Sequence, residues 1–568
     1  MARTPLFGIV QEVLREALFV SKNPGLESAV REWKSGLESG SAVDRRRFLK
    51  TIGATGAAVS ALTPAATLLR STRAVASGKN DWVTSWGSSD DVIILGGGFA
   101  GLTAAYRLAR AGIRSSVYEG APRLGGRILT QDRFNAEGMF CELGGELIDT
   151  EQLEILGLAA ELGVEIDDFI PIDANIERGH FHFGGRNYHT KDILQAFLPL
   201  AAHLQRDIAL LTDPASGEER VTYRHHTPDA VRLDRMSMKE YLYTKADVDQ
   251  WVLDLVNVAY LGEYGEETER QSAINLLLML SPDLSRGFRI FGSSDESKRI
   301  RGGNSRLVEA LEREYRRNRG EVHLGHELVK IEDKNRRIRL TFKDGNRTVV
   351  RSARRVICTI PFSLLRGIDG IATLGLSPVK LRTIRELSYG RNTKHMIGFR
   401  ERAWRKPQGN RPAVNGYFFT DLPNQCFWDT SRAQAGQSGI LTNFLGGNAA
   451  TNPALHTLQA AFRDLDAVFP GVSSLHDGNE SLFRWGDYRF SKGSYTCPSP
   501  GQYTTLIGSP AEDELDGRLI FAGEHVSENY QGYMNGAVQS GNSAAGKILS
   551  ACSTRPESTT AAGATASS

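Results

Sequence analysis

The chain lacks any cysteine framework. Its five cysteines (Cys141, Cys358, Cys426, Cys497, Cys552) lie far apart, with no C-x-x-C and no histidine at ligand spacing. That excludes a disulfide scaffold and the usual zinc sites, and no metal is expected. His225-His226, the only adjacent histidine pair, reads as a polar surface turn. There is no excess of one charge either. The net charge is +2 with Lys and Arg dispersed, so no nucleic-acid surface is expected. Long hydrophobic runs are scarce: Thr51 to Leu69 is rich in Gly, Ala and Thr and contains Pro64, which argues against a stable membrane anchor. What remains is an ordinary globular composition, 40% apolar and 24% charged, on 568 residues. That length is too great for one compact core, so two domains plus tails are expected.

Asp91-Val-Ile-Ile-Leu95 is a short apolar strand running into Gly96-Gly97-Gly98-Phe99-Ala100-Gly101. A helical pattern follows (Leu102, Ala105, Tyr106, Ala109), then a second strand ending at Glu119, 18 residues beyond Gly101. This is the dinucleotide fingerprint in the context it needs. Gly96 makes the tight turn, Gly98 admits a pyrophosphate, Gly101 lets helix pack on strand, and Glu119 stands where a carboxylate grips ribose hydroxyls. The helix N-terminus beside Ala100 offers free N–H groups and a positive dipole end to phosphates. Further on come Arg123-Leu-Gly-Gly-Arg127, Glu142-Leu-Gly-Gly-Glu146, Phe521-Ala-Gly-Glu-His525 and Gly532-Tyr-Met-Asn-Gly536. The glycine pairs at 125–126 and 144–145 let main chain approach a cofactor with no Cβ in the way, and Arg127 supplies charge near a pyrophosphate.

This set, in this order, resembles the flavin-containing amine oxidase family, which includes monoamine and polyamine oxidases and L-amino acid oxidases. The resemblance spans roughly residues 88 to 550. It implies an α/β fold, a Rossmann-like FAD-binding domain interrupted by a mixed α+β substrate-binding domain. FAD is implied as cofactor, with Gly96, Gly98, Ala100, Gly101, Glu119, Gly126, Arg127, Gly144, Gly145, Glu146, Val329, Gly523, Glu524, Tyr533 and Met534 as its contacts. Val329 would meet the adenine through its main chain. The helix from Asn535, with Ala537, Gly541, Ala544 and Ala545, would bring its N-terminal dipole near the flavin. The FAD-binding segments are expected at 88–150, 296–364 and 496–552. A helical part of the substrate domain is expected at 151–295 and a strand-rich part at 365–495. Ser237-Met-Lys-Glu240 reads as a capping box, and Ala273 to Leu280 as a buried helix.

The chemistry implied by the resemblance rests on Lys394, Tyr495 and Tyr533. The lysine would hold a water beside flavin N5, and the two tyrosines would flank the substrate nitrogen, orienting and desolvating it. Ser494 stands where some members carry a flavin-linking cysteine, so FAD is expected to be non-covalent. The implied activity is that of a flavin amine oxidase. Two electrons, formally a hydride, pass from the carbon bearing a neutral amine to the flavin, and the imine hydrolyses to a carbonyl compound and ammonia. Oxygen, giving hydrogen peroxide, or another acceptor completes the cycle. Positioning and desolvation suffice without an acid–base triad. Carotenoid desaturases and porphyrinogen oxidases share the framework, but Lys394 with two tyrosines speaks against both.

L-Amino acid oxidases of the family place an arginine just after this glycine motif to clamp the substrate carboxylate. Here the run is Leu143-Gly-Gly-Glu-Leu147, with a carboxylate at Glu146. That favours an amine lacking a carboxylate or carrying a second positive group. The alternative is a basic L-amino acid such as arginine or lysine, held by an arginine from elsewhere, with Arg299 and Arg301 as donors.

The first 76 residues read as an address. Arg45-Arg46-Arg47-Phe48-Leu49-Lys50 resembles the twin-arginine export motif, with Asp44 where Ser or Thr is usual, and Ala74-Val-Ala76 is a small-x-small cleavage site. The expected partner is the twin-arginine translocase, and the expected location periplasmic or otherwise extracytoplasmic. Residues 6 to 18 place Leu6, Val10, Val13, Leu14 and Leu18 on one helical face. Residues 553 to 568 are Ser, Thr, Ala and Gly with hardly any hydrophobe, and read as a disordered tail.

Overall fold

The computed structural model describes residues 91–213, 217–283, 289–407 and 412–553. The export motif, the amphipathic stretch at 6–18 and the tail beyond 553 lie outside the described residues.

The apolar run Val92–Leu95 becomes the central strand of a five-stranded parallel sheet, ordered Leu519–Phe521, Arg355–Cys358, Val92–Leu95, Ser116–Tyr118, Glu321–His323. All four residues of the central strand are buried, as a parallel strand covered on both faces demands. Successive side chains alternate faces. Val92 and Ile94 pack with Ala104, Leu108, Ala544 and Ile548 of two helices, Phe99–Arg110 and Met534–Ser553. Ile93 and Leu95 face the opposite way, toward Leu328, Leu340 and Phe342. Those belong to an antiparallel three-stranded sheet of His326–Lys334, Arg337–Asp344 and Arg347–Ala353.

The second large sheet has seven strands, ordered His476–Arg484, Asn392–Phe399, Gly439–Gly446, Cys426–Asp429, Phe418–Thr420, His180–Phe183, Arg186–Tyr188. Every pairing is antiparallel except that of Phe418–Thr420 with His180–Phe183. Helix Gln250–Tyr264 lies against it, and its residues Val252, Val256, Ala259 and Tyr260 join the same core as Phe181, Phe419 and Trp428. The capping box at Ser237 is formed, with Glu240 N–H donating to Ser237 Oγ and Ser237 N–H to Glu240 Oε2. Two features differ from the periodicity reading. The stretch 151–295 is not helical throughout: His180–Phe183 supplies a buried strand to the sheet built mainly from residues 392–484. The stretch 365–495 contains helices Pro378–Glu386 and Leu458–Val468.

Candidate active site

One cavity of about 520 Å³ runs from the glycine turn after the first strand to the face of the seven-stranded sheet. Its first end is a dinucleotide cradle. Gly96 has φ 101° and donates its N–H to Tyr118 O at 2.8 Å, turning the chain. A Cβ on Gly101 would stand 2.0 Å from Gly96 O, so the helix meets the turn only because residue 101 is glycine. Gly98 is the N-cap of helix Phe99–Arg110, and no side chain caps that helix. Gly98, Phe99 and Ala100 line the cavity, so orphan N–H groups and the positive dipole end face a place for an anion. Gly98 also pairs with Gly125, whose N–H donates to Gly97 O at 2.9 Å, and Gly126 stacks beside it.

Glu119 ends the second strand and lines the cavity. It accepts from Gly97 N–H at 2.6 Å and Ala121 N–H at 2.7 Å. Burial raises its carboxyl pKa, and the backbone donors offset only part of that rise. An ionised carboxylate has about four acceptor positions, so two remain for ribose hydroxyls. Arg127 lines the cavity as well, and one nitrogen of its guanidinium, Nη1, donates to Glu524 Oε1 at 2.8 Å and Ser494 O at 2.7 Å. Glu524 also accepts from Thr496 Oγ1 and Gly532 N–H, both at 2.8 Å. Burial opposes its charge, yet Arg127 and these donors hold its pKa below the usual value. Gly144, Gly145, Gly523 and Met534 complete the wall. A Cβ on Gly144 would lie 2.0 Å from Arg127 O, and one on Gly145 3.1 Å from Met534 Sδ. Val329, expected to act through its main chain, turns its side chain away from the cavity. It is the bulge residue between Leu328 and Lys330, is 38% exposed, and gives its carbonyl to Asp369 N–H. The neighbouring residue, Leu328, lines the cavity instead, because the bulge rotates the strand by one position.

The second end holds the expected chemical residues and several that were not expected. Lys394, Tyr495 and Tyr533 all line it. Tyr495 Oη donates to Gly262 O at 2.8 Å and Tyr533 Oη to Glu263 Oε1 at 2.7 Å. Consecutive residues at the end of helix Gln250–Tyr264 therefore pin both tyrosines. Lys394 sits on the fully buried strand Asn392–Phe399. Its Nζ donates to Glu142 O at 3.0 Å, Gly144 O at 2.9 Å and Glu146 Oε2 at 3.0 Å. An ammonium has three N–H donors, and these acceptors use all of them. The expectation that Lys394 holds a water beside the flavin finds no spare donor in this geometry.

Glu146 needs a matching correction. It is not an unpaired carboxylate at the pocket mouth. Beyond Lys394 it accepts from Trp428 Nε1 at 3.0 Å and Thr430 Oγ1 at 2.8 Å, and meets Arg299 Nη1 at 3.4 Å. Burial disfavours its charge, but Lys394 and Arg299 outweigh that and lower its pKa. Arg299 is fully buried on Glu146 and the carbonyls of Thr430 and Arg432. Arg301 points away, to Asp167 and Glu165. Neither arginine lines the cavity, so neither is the substrate clamp the sequence suggested.

Sequence reasoning missed Glu263, Glu296, Tyr417 and Trp428, which all line this end. Glu263 carried a faint signal, as a carboxylate near the end of the largely apolar helix Gln250–Tyr264, which also holds Asp254 and Asn257. Glu296 carried none. It enters the wall from an irregular loop at φ 46°, a conformation that few non-glycine residues adopt.

The family model for flavin-containing amine oxidoreductases matches residues 99–549. The flavin-dependent L-tryptophan oxidase RebO of Lentzea aerocolonigenes is 27% identical over 484 residues, covering 79% of this chain and 96% of the relative. A pseudooxynicotine dehydrogenase from a Pseudomonas species is 24% identical over 475 residues, covering 81% and 86%. Among solved structures, the cyclohexylamine oxidase of Brevibacterium oxydans superposes with a TM-score of 0.68 at 19% identity, covering 82% of this chain and all of that one. A putrescine oxidase bound to putrescine gives 0.64 at 20% identity, covering 81% and 99%.

Proposed function

The chain belongs to the family of flavin-containing amine oxidoreductases, and from that premise we propose that it oxidises an amine carrying no carboxylate, with FAD held non-covalently. When bound, FAD supplies a two-electron acceptor for the carbon that carries a neutral amine. The cradle fits it. The uncapped helix N-terminus at Gly98 to Ala100 and the glycines at 126, 144 and 145 would take the pyrophosphate and ring edges. Glu119 would take a ribose, and Gly523, Glu524 and Met534 would close the wall. Ser494 offers no sulfur for a covalent link. Tyr495 and Tyr533, fixed through Gly262 and Glu263, would hold the amine and exclude water from it.

The observation that carries the reading is the distribution of charge along the cavity. Arg123, Arg127, Arg489 and Lys492 line it on the dinucleotide side, near Glu119, Gly126, Glu327 and Phe490. At the other end Lys394, the one cation that lines it among the described residues, has no donor left for a substrate carboxylate. The alternative, oxidation of a basic L-amino acid, draws support from the L-amino acid oxidases among the relatives. Among the described residues it lacks a carboxylate clamp. Anaerobic mixing of the FAD-loaded protein with amines and with L-amino acids is the test: bleaching of the yellow chromophore by amines supports the proposal, and bleaching by amino acids alone overturns it. Electrons then pass to oxygen or to another acceptor, which peroxide yield per amine consumed distinguishes.

We also propose export by the twin-arginine route to a periplasmic or otherwise extracytoplasmic location, supported by Arg45-Arg46 ahead of Phe48-Leu49-Lys50. That route carries folded proteins, which suits an enzyme that loads FAD in the cytoplasm. Replacing Arg45 and Arg46 together with Lys is expected to retain the enzyme in the cytoplasm. Undiminished export, measured by fractionation, overturns this.

A further inference from the structure

We infer that the substrate end of the cavity is built for an amine with a second, remote cationic group, which Glu263 and Glu296 receive; the substrate class is then a diamine or another dication. This rests on the amine-oxidation reading above and makes it narrower.

Six carboxylates line the cavity: Glu119, Glu146, Glu263, Glu296, Glu327 and Glu524. Four are already satisfied by cations or backbone donors. Glu146 has Lys394 and Arg299, Glu524 has Arg127, Glu327 has Arg489, and Glu119 has two N–H groups. Among the described residues, Glu263 has the Tyr533 hydroxyl and Glu296 the Tyr417 hydroxyl, and no cation lies within ion-pair distance of either. Asp149 and Glu142, buried close by, also lack a cation, but they do not open on the cavity. Asp149 is saturated by Ser294, Gln152 and the Glu296 N–H, and Glu142 by Thr130 and the Asn304 N–H. Among the described residues, Glu263 and Glu296 therefore stand apart as carboxyl groups that face the cavity without a counter-charge.

A carboxylate drawn from water without a counter-charge is costly to keep ionised, and this favours the protonated form of both groups. Burial is the largest cause, moving Glu263 up to about 7 and Glu296 up to about 8. Asp149 pushes on both, and Glu263 pushes on Glu296. Arg432 and the hydroxyls of Tyr417 and Tyr533 act in the opposite direction. A cationic group entering here takes the place of those protons and repays the desolvation that the empty pair suffers.

The amine to be oxidised is not that cation. An ion pair stabilises the protonated amine, whose nitrogen has no lone pair to support loss of hydride from the adjacent carbon. A carboxylate pair at the reacting nitrogen would thus oppose the chemistry, whereas one serving a distant ammonium would hold the chain in register. The walls suit this. Tyr417, Phe419, Phe291, Trp428 and Phe444 form a continuous aromatic lining, with ring centroids 5.2 Å apart for Tyr417–Phe419, 6.1 Å for Phe291–Phe419 and 5.1 Å for Trp428–Phe444. Such a lining favours an alkyl chain and a cation over an anion.

The test compares cadaverine with n-pentylamine, the same carbon chain with and without the second ammonium, on the FAD-loaded enzyme. The bis- and mono-quaternary ammonium analogues, which cannot be oxidised, are titrated by their perturbation of the flavin spectrum. The diamine is expected to reduce the enzyme with at least tenfold higher kcat/KM, and the bis-quaternary analogue to bind at least tenfold tighter. Both preferences are expected to grow as pH rises from 6 to 8, while the carboxyls give up their protons. Glu296→Gln and Glu263→Gln are expected to lower each preference tenfold or more, with Glu296→Asp recovering part of it. Equal handling of the mono- and dications by the wild type overturns the proposal, as does a loss in the Gln variants that is the same for both. The two readings separate cleanly. A dication preference in binding without bleaching by either amine upholds the subsite and refutes amine oxidation. Bleaching by both amines without preference does the reverse.

Discussion

Lys394, Glu146 and Arg299 form a buried row of cation, anion and cation, with Trp428 and Thr430 completing the carboxylate's shell. Removing one member of a buried ion pair leaves an uncompensated charge and costs about 3 to 5 kcal/mol, far more than the pair's net contribution. Lys394→Met is therefore expected to lower stability by about 3 kcal/mol, even though methionine matches the aliphatic stem and would be harmless on an open strand. Glu146→Gln is expected to cost more, about 4 to 5 kcal/mol, because it leaves two buried cations, Lys394 and Arg299, without their counter-charge. The two changes should couple, the double variant falling at least about 1 kcal/mol short of the sum. Urea midpoints with an unchanged m-value measure all three, and additivity would reject the row as a unit. If Glu146 acts only through Lys394, Glu146→Gln will alter kcat/KM for basic and neutral amines by the same factor. Lys394 was legible in the sequence through its place in a family pattern. Its partner was not, because the two residues stand 248 positions apart and no local periodicity encodes which charge meets which.

At the scale of elements, helices Phe99–Arg110 and Met534–Ser553 meet through small residues. Gly541 of Met534–Ser553 lies so close to Phe99–Arg110 that an added Cβ would stand 2.5 Å from Ala100 O and 2.9 Å from Thr103 Cβ. The near neighbour includes backbone, which cannot rotate away. Gly541→Ala must push the two helices apart at the point where both N-terminal ends reach the cofactor cradle, and overpacking of this kind costs about 1 to 3 kcal/mol. Weaker FAD retention is expected with the loss of stability, read as free flavin after gel filtration and a lowered Tm; retention and Tm equal to wild type would show that the interface yields. Signals that live within one element were readable. The apolar strand, glycine turn and helix at 92–110 and the capping box at Ser237 each fold as their own residues dictate. Strand His180–Phe183 has a local partner, Arg186–Tyr188, across the Gly184-Gly185 turn, but its pairing with Phe418–Thr420, more than two hundred residues later, has no local signal. The Leu328–Lys330 bulge escaped notice because one extra residue leaves alternation intact on either side while exchanging which side chain faces inward.

For the molecule as a whole, the cavity imposes a pH signature on stability. Burial is the leading cause that moves Glu142 and Glu263 up to about 7 and Glu296 up to about 8, from 4.5. Each keeps its proton in the folded chain at pH values where the unfolded chain has lost it. The stability this confers is complete below 4.5 and is given up as pH climbs through 7 to 8. His525 works against them: buried with both ring nitrogens unpartnered, it falls from 6.5 to about 4, chiefly through desolvation. It is neutral in the fold where the unfolded chain binds a proton, so its contribution rises between pH 4 and 6.5. Three carboxyls against one imidazole leave the folded chain holding more protons across that window, and stability there must fall with rising pH. Above 7 the slope reverses sign in part, since Lys380, lowered by burial from 10.5 to about 7, is neutral in the fold while the unfolded lysine is charged. Glu146 and Glu524, whose pKa values are lowered, add stability that is lost only on acidification below 4.5. With FAD at fixed excess and no amine present, urea midpoints are therefore expected to peak near pH 5, decline toward pH 7 and level off beyond it. A dication at saturating concentration should flatten the decline, because it binds the ionised forms of Glu263 and Glu296 and so adds stability that grows with pH. A midpoint that rises steadily from pH 5 to 8 without ligand would mean that these carboxyls are ionised in the folded protein, and the cavity would then need a counter-charge that its lining does not provide.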